Sequence, residues 1–169
     1  MGILSGNPKD EPMHYGEVFA TWTYLFTEQG MIATYQTLVN HTGDDDLKKL
    51  IQEAIEDANA ESQKIKELLK SNGIALPPSP PERPISNLEN IPAGARFSDP
   101  EIAGMLSVNS AKGLIACSTI MGQSIREDIA LMFGQFHVNK ALFGAKTLKL
   151  NKEKGWLVPP PLHLDTPNK

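Results

Sequence analysis

Residues 73–97 read GIALPPSPPERPISNLENIPAGARF, with six prolines between Pro77 and Pro92. Proline fixes φ and removes a backbone donor, so this stretch can carry no helix. Extended, stiff backbone is expected around Pro77–Pro84. At about 25 residues the segment is a crossover long enough to follow a helix from end to end, which a tight turn is not. Of the 13 prolines, Pro8 and Pro12 lie before it, Pro100 just after it, and Pro159, Pro160, Pro161 and Pro167 near the end. Residues 13–76 and 101–158 contain none. Two long windows are therefore free to be regular, one on each side of the crossover.

The first window divides at Thr42-Gly43. Tyr15, Val18, Phe19, Trp22, Leu25, Phe26, Gln29, Ile32 and Ala33 follow helical spacing, predicting a helix over about 14–41. Asp44-Asp45-Asp46 then loads the first turn of a second helix with negative charge. Leu47, Leu50, Ala54, Ala58, Glu61, Ile65 and Leu68 form its ladder, and Asn72-Gly73 ends it, giving 44–72. The short connection makes these two an antiparallel hairpin.

In the second window Ser98 and Glu101 fit a capping box, with Pro100 in the first turn. Ile102, Met105, Leu106, Asn109, Gly113, Cys117 and Ile120 predict a third helix over 99–121. Ser124 with Glu127 is a second capping-box pattern. It predicts a fourth helix over 124–154, with Ile125, Ile129, Met132, Phe136, Phe143 and Leu150 on its core face. Gly155 stops it, and the tail 155–169 is expected to fold back and bury Trp156. The expected fold is all-α: a single four-helix bundle domain of two antiparallel helical hairpins joined by a long crossover, the ferritin-like connection.

Composition excludes several classes. A lone Cys117 can form neither an internal disulfide nor a zinc cluster, which suits a reducing compartment and a cytoplasmic location. The N-terminus lacks the basic and apolar regions of a secretory signal, and Gly6 stands where a myristoylation motif at Gly2 needs Ser or Thr. A net charge of −4 without a Lys/Arg cluster argues against nucleic acid. Charge is unevenly spread. Thirteen charged residues lie between Asp44 and Lys70, whereas 13–43 holds only Glu17 and Glu28, and 102–125 only Lys112. The polar residues in these two low-charge helices argue against a membrane span.

Helix 1 carries a second stripe, Tyr24, Glu28, Met31, Tyr35 and Leu38, and a smooth side of Thr23, Thr27, Gly30 and Thr34. Apolar surface on more than one face is usually buried on more than one face. Two explanations fit: cover by the crossover and tail, or a homodimer through helix 1, with helix 3 as a second element of that interface.

A bundle of this connection commonly holds two metals on Glu and Glu-x-x-His ligands. No Glu here has a His three residues later, and His14-x-x-Glu17 is the reverse order. No cofactor and no catalytic residue is therefore expected. An irregular iron or manganese site is still conceivable from Glu28, Glu61 and His137, which fall near one level of the bundle. A buried carboxylate needs a partner, so Glu61 is otherwise expected to bond Tyr24, Tyr35 or Gln29. Cys117 on an apolar helix face reads as core. Arg126 and Asp128 read as architecture, with Arg126 facing a carboxylate of a neighbouring helix. The aromatic interior around Trp22, Phe26 and Phe136 would also suit a small-ligand carrier.

Several stretches together resemble a known family. They are GILSGNPKDEPMHYGEVF at 2–19, Glu28-Gln29-Gly30-Met31, Asn72-Gly73-Ile74 with Leu76-Pro77-Pro78, PPERP at 80–84, Arg126-x-Asp128, and Lys154-Gly155-Trp156-Leu157. The chain resembles a family of endospore-forming bacteria described as spore coat proteins, related to spore coat protein F and placed in the ferritin-like superfamily. The resemblance spans nearly the whole chain and implies a ferritin-like bundle. It also implies a spore coat location, other spore coat proteins as partners, and no established catalytic residues. The expected function is a non-enzymatic structural or interaction protein. The alternative is a ferritin-like metal protein, an oxidase or catalase-like enzyme.

Overall fold

The computed structural model describes residues 11–163. Gly2, Gly6, Pro8 and Pro167 lie outside the described residues. Four long helices are present: α1 Tyr15–Leu38, α2 Asp45–Ser71, α3 Asp99–Gln123 and α4 Glu127–Glu153. Among the described residues there is no strand, and no helix is long and apolar enough to cross a membrane. α1 packs along α2 and α3 along α4, and α1 against α3 joins the two hairpins. Each helix is about 40 Å long at the standard rise.

The helix ends follow from local chemistry. His14 caps α1 through Nδ1, which accepts from the Gly16 N–H at 2.9 Å, while Glu17 accepts the His14 N–H. Asp44 caps α2 by accepting from the N–H groups of Asp46 and Leu47. Ser98 and Glu101 form the expected capping box on α3. Gly73 and Gly155, both at φ 71°, end α2 and α4 in the left-handed conformation that favours glycine.

The start of α4 differs from the sequence expectation. The Ser124 hydroxyl donates back to the Ile120 carbonyl at 2.8 Å, so Ser124 closes α3 rather than opening α4. The α4 N-terminus is capped from another helix. Glu17 of α1 accepts the N–H groups of Ile125 and Arg126, both at 2.9 Å. Ile125, expected on the core face, therefore lies in the turn and is half exposed. Arg126 is buried, but its carboxylate partner is Asp128 on its own helix, with Asn72 and the Glu11 carbonyl completing its shell.

The crossover runs along α1, as its length allows. Trp22 donates to the Ala75 carbonyl, Gln36 accepts from the Arg83 N–H, Asn40 bonds both Pro84 and Ser86, and His41 accepts from the Phe97 N–H. Only two short 3-10 turns, Leu88–Asn90 and Ala93–Ala95, interrupt it. Trp156 folds against the bundle end, packing on the first core cluster, but remains half-buried.

The core face of α1 is corrected by the structure. Tyr15, Phe19 and Phe26 face solvent, at 95%, 74% and 48% exposure. The buried arc holds Tyr24, Glu28, Tyr35 and Leu38 together with Leu25, Gln29 and Ala33. The reason is the position of the neighbours. α2 and α3 close on the second stripe and the crossover covers the Trp22 side, so that of the first stripe Leu25, Gln29 and Ala33 are buried and only Tyr15, Phe19 and Phe26 are left bare. Elsewhere the core divides into two clusters. One holds Leu47, Leu50, Ile51, Ile102, Leu106 and Phe143 among others. The other centres on Leu25, Ile65, Leu69, Ile129, Phe133 and Phe136.

Candidate functional site

Between the two clusters lies a polar layer. On α4 the ladder Phe136, Lys140, Phe143, Thr147 points inward, and Lys140 enters the bundle with its neighbours. Its Nζ stands 3.0 Å from Glu61 Oε2 on α2 and 3.3 Å from Glu28 Oε1 on α1. Tyr24 Oη donates to Glu61 Oε2 at 2.8 Å and lies 3.6 Å from Cys117 Sγ. The Lys140 ammonium also sits 5.6 Å from the centre of the Tyr24 ring. On α3 Gly113 lies opposite the lysine stem: a Cβ there would lie 2.4 Å from Lys140 Cδ and would push the stem aside.

The charges fix the state of these groups. Burial opposes the Lys140 charge, but Glu28 and Glu61 outweigh it and hold the ammonium above its ordinary range. Burial and the nearby Glu28 raise the Glu61 carboxyl, while Lys140 and Tyr24 pull it back. Burial pushes the Tyr24 phenol well up, the Tyr35 phenol to about 12 and the Cys117 thiol to about 11. All three stay protonated at neutral pH. Tyr24 supplies a hydrogen bond to the charged layer, and Cys117 is held as a thiol rather than a thiolate.

This layer is the floor of a groove of ≈ 570 Å³ between α1 and α3. Apolar side chains such as Phe19, Met31, Ala58 and Phe143 line it, as do both tyrosines, Asn109, Glu28, Glu61 and Lys140. Of the three candidate ligands, Glu28 and Glu61 are brought together. His137 takes part in neither the ion-pair network nor the groove lining. Among the described residues no group of three His, Cys, Asp or Glu side chains converges to hold a metal. The cation between the carboxylates is the protein's own lysine. Sequence reasoning missed Lys140, although a lysine on the Phe136–Phe143 ladder is the signal that marks it.

Two antiparallel helical hairpins, a crossover strapped along α1 and a buried Glu–Lys–Glu layer define an all-helical bundle with a charged centre. The chain belongs to the family described as a protein of unknown function, DUF3231, which matches residues 1–168. It is 60% identical over 164 residues to the uncharacterized protein YvdQ of Bacillus subtilis (strain 168), covering 97% of this chain and 96% of that one. Among solved structures it matches a "putative spore coat protein" of Bacillus halodurans C-125. The TM-score is 0.93 at 62% identity, covering 94% of this chain and 100% of the other. A conserved hypothetical protein of Mycobacterium tuberculosis shares the fold alone, with a TM-score of 0.65 at 12% identity over 81% of this chain and 98% of that one.

Proposed function

We propose that the chain is a non-enzymatic structural or interaction protein of the spore coat, built on a ferritin-like bundle. The carrying observation is Lys140 between Glu28 and Glu61: the place between the paired carboxylates at the bundle centre is already taken by an internal ammonium. The name of the Bacillus halodurans relative supports the spore coat location. A fluorescent fusion expressed through sporulation tests it. Signal on the spore surface is expected, and signal confined to vegetative cells would overturn the reading. Metal analysis of protein purified without chelator tests the chemistry, with substoichiometric iron and manganese expected.

The same proposal includes a homodimer through α1. Tyr15, Phe19 and Phe26 form an exposed apolar stripe next to the uncharged Thr27 and Thr34. Sedimentation at micromolar concentration should give twice the 18.5 kDa chain mass. The Phe19→Glu/Phe26→Glu double variant should sediment as a monomer. A monomeric parent protein would end this part of the reading.

A further inference from the structure

We infer that the groove between α1 and α3 binds a small amphipathic molecule with a primary ammonium head, seated on Glu61 and Glu28, and an apolar body along the helix walls. The inference does not rest on the spore coat reading.

Four observations carry it. First, ≈ 570 Å³ is the size of a small-molecule site, and most of the lining is apolar. Second, Glu61 lines the groove at 3% exposure, and its Oε1 has no hydrogen-bond partner. An unpartnered buried carboxylate oxygen is costly, and a donor group arriving in the groove would satisfy it. Third, the charged lining is Glu28, Asp57 and Glu61 against Lys112 and Lys140. With Lys112 exposed at the rim, the floor itself holds two carboxylates and one ammonium. A second cation completes this set, whereas an anion would meet two carboxylates whose only deep counter-charge is already shared. Fourth, the Tyr24 and Tyr35 rings flank the floor, and aromatic faces favour ammonium groups.

Head and body are separable in a test with three ten-carbon probes: decylamine, decanol and decanoate. Isothermal titration of the full chain should show decylamine binding at least tenfold more tightly than decanol, with decanoate weakest. Glu61→Gln should erase the preference for the amine. Thr119 is exposed at the α3 wall of the groove, so Thr119→Trp obstructs the groove without touching the core or the α1 stripe. It should weaken decylamine at least tenfold while leaving the melting temperature of the free protein unchanged. Should Glu61→Gln fail to fold, the probe series and Thr119→Trp still decide. Equal affinity for the three probes, undiminished binding in Thr119→Trp, or no binding at all would overturn the inference. None of these results bears on where the protein resides in the spore, so the two readings fail separately.

Discussion

The two halves of the core are made differently. The half nearest the α1–α2 turn is mostly aliphatic, built on Leu47, Leu50, Ile51, Ile102 and Leu106. The other half is aromatic. Phe133 and Phe136 meet edge to face at 5.3 Å, and Phe133 meets Tyr24 the same way at 5.0 Å. The Lys140 layer lies between them, and Tyr24 belongs both to it and to the aromatic half. The contrast shows how a bundle can carry a buried charge cluster. Apolar packing flanks the cluster on both sides, and all four helices meet at its level. α1 gives Glu28 and Tyr24, α2 gives Glu61, α4 gives Lys140, and α3 gives the absence of a side chain at Gly113.

Removing the lysine should break this arrangement most severely. Lys140→Ala leaves two buried carboxylates without a counter-charge, and urea denaturation should show a loss of about 3–5 kcal/mol. Replacing the whole set (Lys140→Met, Glu28→Gln, Glu61→Gln) should recover most of that loss, since a neutral layer has no buried charge to balance. In the aromatic half, Phe133→Ala should also cost about 3–5 kcal/mol, whereas Ile51→Val in the aliphatic half should cost about 0.5–1.5 kcal/mol. If the halves are energetically separate, the last two losses should add in the double variant.

Two smaller effects sharpen the picture at the periphery. Asp44→Ala removes the α2 cap and the Lys154 ion pair, and should cost about 0.5–2 kcal/mol. The pair with Lys154 holds the Asp44 carboxyl below its ordinary value. Its contribution is therefore present above that ordinary value and lost as pH falls through the lowered one. The Lys140 ammonium has the opposite sign. Held above its ordinary range, it stabilises the fold at all lower pH, and that contribution is lost as pH rises through its raised value. Acid and alkaline unfolding curves of the Asp44 and Lys140 variants should each lose one arm. The smallest effect is chemical. With Cys117 fully buried and its thiol at about 11, a disulfide-exchange reagent at pH 8 should react only after denaturant is added.

The arrangement of helices was legible because proline and glycine act locally. Pro77–Pro92 exclude a helix whatever surrounds them, and Gly73 and Gly155 adopt the left-handed conformation wherever a helix must stop. Faces were less legible, because they depend on neighbours. α1 has two apolar stripes, and nothing within its own residues says that Tyr24 and Tyr35 face the core while Tyr15 and Phe19 face water. The same limit explains Ser124. Its spacing to Glu127 fits a cap, but the donors it would satisfy are taken by Glu17 from 108 residues away. In the candidate site, Glu61 was legible because a carboxylate on an apolar ladder demands a partner, and Tyr24 is one of the three that its position allowed. Lys140 escaped because a lysine ordinarily carries its charge to the surface, and here the two carboxylates facing it come from the other hairpin.

Glu17 has a further consequence for how the chain assembles. Each hairpin can close through contacts among near neighbours in the sequence. The bonds from Glu17 to the α4 start and from Lys154 to Asp44 span 108 to 110 residues, one pair at each end of the second hairpin. Contacts so distant along the chain carry the largest loop-closure cost and form once the hairpins have docked. Glu17 is thus a latch that can engage only in the docked bundle. In pulse-labelling exchange, the amides of Ile125 and Arg126 should gain protection after those in the middle of α2 and α4.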